Sequence, residues 1–329
     1  MDLSKLTKKT LKVSRGFTYT YYSAGAQEAK PTIALFHGWP DSAKVWAGFV
    51  NDYLLPHGYG VIAQDCLGYG ETSKPTDIES YGWQHITTDI AEILDAENVP
   101  KVISLGHDWG SGLAQRLYHF YPSRVQALVM VNAPYMPPSG DFDLDSVNAR
   151  TREAFGMGLF EYWHFFASED GPGIMNRNLE SVYSALFGDP HTWQNTFCTP
   201  GGMRKWISEG HTQPTLQYAT PEHKADFMDR FSEEVGFQAS CCYYKSTVFG
   251  VQNKAEKLAA EGTMMVNVPT LFWGVEQDYV CRPAGLQPSI QAGLLPNLKI
   301  VTREGGHWAL LEKPAQFGQD VLGWLQETF

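Results

Sequence analysis

The feature that most constrains this chain is an alternation of short apolar runs, rich in β-branched residues, with segments of helical spacing. Thr32–Phe36, Gly60–Ala63, Lys101–Leu105, Ala127–Val131, Thr270–Trp273 and Leu298–Val301 each read as a buried strand. Between them, Ile86, Ile90, Ile93 and Leu94 fall on one helical face. Leu113, Leu117 and Phe120 do the same, and Pro122 stops that helix. A last helix opens at Pro314 and turns Phe317, Val321 and Trp324 inward. Such alternation predicts an α/β fold, with a mostly parallel central sheet covered by helices on both faces.

The alternation breaks once. From Tyr135 to Glu261 the strand-like runs vanish, and aromatic, helix-compatible segments punctuated by Pro and Gly replace them. The simplest account is a helical cap at 135–261 inserted into a core formed by 1–134 and 262–329. A length of 329 residues exceeds what one hydrophobic core usually holds, so subdivision is expected. The net charge of −11 repels polyanions, so neither nucleic acid nor an anionic membrane surface is an expected partner. No run reaches the ~18 apolar residues of a membrane span. The opening MDLSKLTKKT lacks the apolar segment of a secretory signal. Five cysteines without framework spacing predict reduced thiols and a cytoplasmic setting. Cys241 and Cys242 are adjacent, but no second Cys/His pair follows at zinc-site spacing, and neither a metal nor an organic cofactor is expected.

The chemistry-bearing residues follow the strands. Leu105-Gly106-His107-Asp108-Trp109-Gly110 is a strand entering a small-x-acid-x-small turn and then a helix, the shape of a nucleophile elbow with Asp108 at its centre. An Asp at a strand end is by itself commonly a helix cap, but the flanking glycines favour the elbow. A carboxylate is already ionised at neutral pH and needs no base to activate it. It suits attack on an sp³ carbon, giving an ester that water must then cleave. Phe36-His37-Gly38-Trp39-Pro40 follows the first central strand. The backbone N–H groups of Trp39 and Trp109 are the expected oxyanion donors. Asp278 follows the strand Thr270–Trp273, and His307 sits in Gly305-Gly306-His307-Trp308 after the last strand. Nucleophile, acid and histidine in that chain order form a hydrolytic triad, with Glu276 a weaker candidate for the acid. His37, His107 and Asp65 lie beside these motifs and are expected to hold loops in shape.

In these motifs the chain resembles the soluble epoxide hydrolases of the α/β-hydrolase superfamily. The resemblance rests on HGWPDS, DCLGYGETSKP, GHDWGSG and GGHWALLEKP in combination, and runs over nearly the whole chain. It implies the α/β-hydrolase fold, without the separate phosphatase domain of the mammalian enzymes. It also implies two cap tyrosines that hydrogen-bond the epoxide oxygen. Phe160-Glu161-Tyr162-Trp163 resembles the segment bearing the first, and Tyr243-Tyr244-Lys245 the segment bearing the second, with Tyr244 the better match and Tyr243 the alternative register. His37, Pro40, Trp163 and Trp308 are expected to border the substrate pocket. Two departures stand out: Ser111 where a second glycine is common, and Ser240-Cys241-Cys242 where polar and proline residues are common.

The implied reaction is hydrolysis of a small hydrophobic epoxide to a vicinal diol through an ester on Asp108. His307, oriented by Asp278, activates water, and Tyr162 and Tyr244 protonate the epoxide oxygen. A haloalkane dehalogenase, with the same Asp-His-Asp relay, is the alternative. It would want N–H donors for halide, such as the Trp109 indole, rather than a proton donor. An epoxide-opening cyclase and a non-catalytic ligand-binding homologue are further readings, against which the intact relay counts.

Overall fold

The predicted runs all form strands, and two more precede them: β1 (Thr7–Lys12), β2 (Thr18–Ala24), β3 (Thr32–Phe36), β4 (Gly60–Gln64), β5 (Val102–His107), β6 (Val125–Val131), β7 (Thr270–Val275) and β8 (Leu298–Arg303). In this computed structural model, which describes residues 1–259 and 264–329, they make one eight-stranded sheet. The expected boundary between 261 and 262 lies outside the described residues. The strand order is β1-β2-β4-β3-β5-β6-β7-β8. The pairings from β4 through β8 are parallel, and β1 and β2 add antiparallel at one edge.

The strands that carry the site are buried on both faces, which is why they read as continuous apolar runs. β1 and β2 escaped that reading because their residues are Thr-, Lys- and Tyr-rich, and β1 turns much of its length to water. β8 corrects the expectation of a buried strand. It is the opposite edge of the sheet, and Ile300 is 47% exposed. The helices follow their apolar spacing. Trp83–Ala96 buries Ile86, Ile90, Ile93 and Leu94; Trp109–Phe120 buries Leu113 and Leu117; Pro314–Thr328 buries Phe317, Val321 and Trp324. Phe120, at the end of its helix, is only partly covered.

Between β6 and β7 the chain runs through helices from Leu144–Phe155 to Val251–Ala259, and among the described residues its ladder pairing is the isolated bridge Gly188–Thr215. No helix among the described residues is long and apolar enough to cross a membrane. Parallel strands bring their carboxyl ends to one edge, so the loops after β3, β5, β6, β7 and β8 meet there. The order reverses beside β3, with β4 on one side and β5 on the other, and such a switch point opens a crevice.

One buried ion pair ties the elbow helix to the segment between β6 and β7. Arg116 Nε donates to Glu256 Oε1 at 2.7 Å, with both side chains 6% exposed, and Arg116 Nη1 donates to the Met136 carbonyl at 2.9 Å. Removing one partner strands the other charge in a dry site. Arg116→Ala should therefore lose about 3–5 kcal/mol in urea denaturation at neutral pH, whereas the paired replacement Arg116→Met with Glu256→Leu should lose far less.

Candidate active site

The elbow forms because β5 ends at His107 and the next helix begins at Trp109, leaving a single residue to turn the chain. That residue is Asp108, with φ 55° and ψ −125°, a region costly for a side-chain-bearing residue. Glycine at 110 makes the turn possible: a Cβ there would lie 2.0 Å from the Phe36 carbonyl oxygen. Glycine at 38 lets the neighbouring loop approach from the other side, since its Cβ would sit 2.3 Å from Asp108 Oδ1. The Trp39 backbone N–H then donates to Asp108 Oδ1 at 2.9 Å, and the Trp109 amide also bonds this carboxylate. Both expected oxyanion donors thus converge on Asp108.

The relay is assembled beside it. His307 Nε2 lies 3.7 Å from Asp108 Oδ2, and His307 Nδ1 is 2.6 Å from Asp278 Oδ2. Asp278 is fully buried, and its Oδ1 accepts the amides of Val280 at 3.0 Å and Cys281 at 2.9 Å. Glu276 is exposed and lies outside this arrangement. Burial pulls the His307 pKa down, but the charge and hydrogen bond of Asp278, then Asp108 and Asp41, outweigh it and raise it to about 9. Burial would raise Asp278, yet the His307 charge and the two amides hold it below the ordinary carboxylate range. Burial raises Asp108, against the opposing pull of His307 and the amide donors.

Two neighbouring histidines, His37 and His107, hold the backbone around the site. His37 Nδ1 donates to the Gly38 carbonyl at 2.8 Å and Nε2 accepts the Cys66 amide at 3.0 Å, so both ring nitrogens serve the loop. Burial lowers His37 to about 4. His107 Nε2 donates to the His307 carbonyl at 2.9 Å, and burial, then the His307 charge, lowers it to about 3. Asp65 accepts the Ala43 amide at 2.9 Å and the Glu71 amide at 3.0 Å, and so holds two loops together. Pro40 is buried, and its carbonyl accepts from Arg230. Trp308 packs edge-on against His307 at 4.7 Å and donates its indole N–H to Asp41 Oδ2 at 2.9 Å. Burial pushes Asp41 up to about 6.

The two tyrosines come together within reach of the Asp108 charge. Their ring centroids are 5.8 Å apart, and both are almost wholly buried. Burial raises both phenols well above 10; Asp108 adds to this for Tyr162, and Tyr162 and Asp108 add to it for Tyr244. Tyr244 sits edge-on to Trp109 at 5.1 Å and to Trp163 at 5.4 Å. Tyr243 packs among Tyr69, Tyr81 and Trp83 and reaches Trp109 at 5.9 Å, whereas it is Tyr244 that meets Tyr162. Tyr244 is thus the ring paired with Tyr162, and Asp108 is among the charges that act on both.

Sequence reasoning missed three contributors. Asn132, after β6 with φ 63°, donates from Nδ2 to Asp278 Oδ2 at 3.1 Å and to the His307 carbonyl at 2.7 Å. Its signal was a lone Asn at a strand end. Trp193 stacks on Phe197 at 4.2 Å and lies 5.4 Å from the His307 ring, while Phe166 lies 5.0 Å from Tyr244. These two were indistinguishable from other aromatic residues of the helical segment. The departure Ser111 bonds the Ala133 carbonyl at 2.9 Å, tying the elbow helix to the loop after β6. All five cysteines are free and buried. Among the described residues, Asp278, Cys281 and His307 bring potential metal-ligand atoms within 4.8 Å of one another. His307 Nδ1 and Asp278 are there engaged with each other.

The chain matches the model of the alpha/beta hydrolase fold family over residues 31–314. It is 37% identical over 305 residues to epoxide hydrolase 3 of Siraitia grosvenorii, covering 88% of this chain and 90% of that protein. It is 28% identical over 297 residues to bifunctional epoxide hydrolase 2 of Mus musculus, covering 90% of this chain but 52% of that protein. The chain thus spans about half the length of the mammalian curated relatives it matches. A crystal structure of an epoxide hydrolase from Vigna radiata shares its fold, with a TM-score of 0.78 at 21% identity over 99% of this chain and 100% of that one. The family model and the Siraitia relative together carry the assignment, and the chain belongs to the epoxide hydrolase family of the α/β-hydrolase superfamily.

Proposed function

We propose that this protein hydrolyses a small hydrophobic epoxide to a vicinal diol through an ester on Asp108. The observation that carries the reading is the pair of phenols, Tyr162 and Tyr244, set over a carboxylate whose far side faces a His–Asp pair. In the first step Asp108 Oδ2, the oxygen not engaged by the Trp39 amide, attacks an epoxide carbon. The C–O bond breaks, and one tyrosine delivers its proton to the departing oxygen while the other donates a hydrogen bond. An alkoxide is a poor leaving group, so an acid belongs at that position.

Ester formation consumes the negative charge of Asp108, one of the charges that raise the His307 pKa. The imidazolium then gives up its proton more readily, which restores the tyrosine that the first step left as a phenolate, and the neutral imidazole takes a proton from a water, which adds to the ester carbonyl. Asp108 Oδ1 becomes the oxyanion, held by the Trp39 and Trp109 amides, with each such donor typically worth about 3–4 kcal/mol. Collapse releases the diol, and His307 returns the proton to its alkoxide.

In the same reading the helical segment 135–261 is a cap over a core of 1–134 and 262–329, and it supplies both tyrosines. Trp163 and Trp308 border the pocket, while His37 and Pro40 support its rim. The five free, buried cysteines support a cytoplasmic setting.

A single turnover of an aryl epoxide in ¹⁸O-labelled water tests the ester. The first diol should be unlabelled and the label should appear in the Asp108 peptide by mass spectrometry; label passing directly into the diol sinks the mechanism. Bromide released from 1,2-dibromoethane, with no diol from any epoxide, would select the dehalogenase instead. Stopped-flow measurements on Tyr162→Phe and Tyr244→Phe should show alkylation slowed about 10²-fold or more, with ester hydrolysis far less affected.

The His307 pKa also fixes a stability window. Because it is raised from 6.5 to about 9 on folding, the stabilisation from the Asp278 pair is complete below pH 6.5 and is lost as pH rises through about 9. Urea denaturation should show wild type weakening across that interval. Asp278→Asn, already without the largest raising contribution, should show little slope there.

A further inference from the structure

The role proposed for Trp39 lies in its backbone N–H, yet its side chain is also held in place. The ring packs on Phe166 at 4.6 Å, and the indole Nε1–H donates to Ser240 Oγ at 3.2 Å. Ser240 is fully buried and ends the helix Glu234–Ser240; Tyr244 lies one turn further on, in Cys242–Val248. The Ser240 carbonyl accepts from the Tyr69 hydroxyl at 3.4 Å, which fixes this corner from the core side. A second grip comes from Arg230, whose Nη1 donates to the Pro40 carbonyl and, at 3.3 Å, to that of Asp41. The loop carrying the amide donor is therefore bonded by the same corner that presents a proton donor.

We propose that Ser240 is a positioning residue: through the Trp39 indole it holds the Trp39 amide and the Tyr244 phenol in one register over Asp108. This rests on the reaction proposed above. Oxyanion donors act only when held close to the position where charge develops, and a drift of about 0.5 Å already degrades them. Without the hydroxyl, a buried indole N–H loses its acceptor, and the ring can recover a partner only by moving the loop. The cost falls most on ester hydrolysis, where negative charge builds on the oxygen that the Trp39 amide holds.

The test combines Ser240→Ala, Ser240→Thr, Trp39→Phe and the double variant Ser240→Ala/Trp39→Phe, with thermal melts to confirm folding. In the free enzyme, hydrogen exchange of the Trp39 amide, followed by mass spectrometry, should quicken in Ser240→Ala and return towards wild type in Ser240→Thr. In single-turnover kinetics, Ser240→Ala should slow ester hydrolysis about tenfold and alkylation about threefold or less, so that the ester accumulates. In the Trp39→Phe background, Ser240→Ala should add nothing, because the donor is already gone. Unchanged amide exchange, an unchanged ratio of the two rates in a folded Ser240→Ala, or additive effects in the double variant would each overturn the proposal. Quickened exchange in an enzyme that never forms the ester would overturn the reaction and the kinetic part with it, leaving the contact itself established.

Discussion

The chain can hold Asp108 at its sharp turn only because two backbone segments approach more closely than side chains allow. At Asp108 it passes from strand to helix through one residue at φ 55°, and Gly110 lies where a Cβ would strike the Phe36 carbonyl. This close packing fixes the elbow against the loop after β3, so the carboxylate and the amide of Trp39 share one frame. The other loops at this edge are placed by sheet register. β5 pairs with β6, β6 with β7 and β7 with β8, and their continuations carry Asn132, Asp278 and His307 to the same crevice. Strain at one residue is stable because the surrounding ladders over-determine it.

Burial then chooses which imidazole carries charge. His37, His107 and His307 all lie within the same protein interior, and burial pulls each of them down. Only His307 has a carboxylate on its Nδ1 and another facing its Nε2. That difference moves it to about 9 while His107 falls to about 3, across a ring separation of 4.6 Å. Asp278 performs this role because its other oxygen is occupied by two amides and Asn132 holds it from the side. A buried carboxylate without those partners would take up a proton itself and leave the imidazole unassisted.

The parts of this arrangement legible in the sequence are those written in local pattern. Parallel strands buried on both faces are continuous apolar runs, and the elbow is a glycine-bracketed acid after one of them. Asp278 could be placed because it follows a strand of that kind, and His307 because Ile300 and Val301 mark β8 as a strand even though it is an exposed edge. β1 and β2 could not: β1 is an edge strand largely open to water, and β2, mostly buried between β1 and β4, is built of Thr and Tyr rather than of an aliphatic run. Asn132 acts through a hydrogen bond to a residue 146 positions away, and nothing in its neighbourhood announces that. The tyrosines belong to a third category. Adjacent helical residues such as Tyr243 and Tyr244 point about 100° apart, and both are aromatic, so spacing alone cannot say which meets Tyr162. Family resemblance favoured Tyr244, and the contacts of the two rings separate them.

The same dry surroundings that strengthen the charge pair weaken the phenols as acids, raising both well above 10. For the proposed epoxide opening the two demands are compatible. The departing oxygen is an alkoxide, more basic than a phenolate, so a phenol remains acid enough to protonate it as the bond breaks. A carboxylic acid in that position would need its own burial to stay protonated at neutral pH, and when ionised it would repel Asp108. Phenols stay neutral until proton transfer is needed, and they add no charge beside the nucleophile in the resting site. Edge-on contacts with Trp109, Trp163 and Phe166 at 5.0–5.4 Å hold the Tyr244 ring without adding any charge to it. An aromatic wall is therefore a consistent setting for this acid: it excludes water from the carboxylate and orients the donor while leaving the charge to the His307–Asp278 pair.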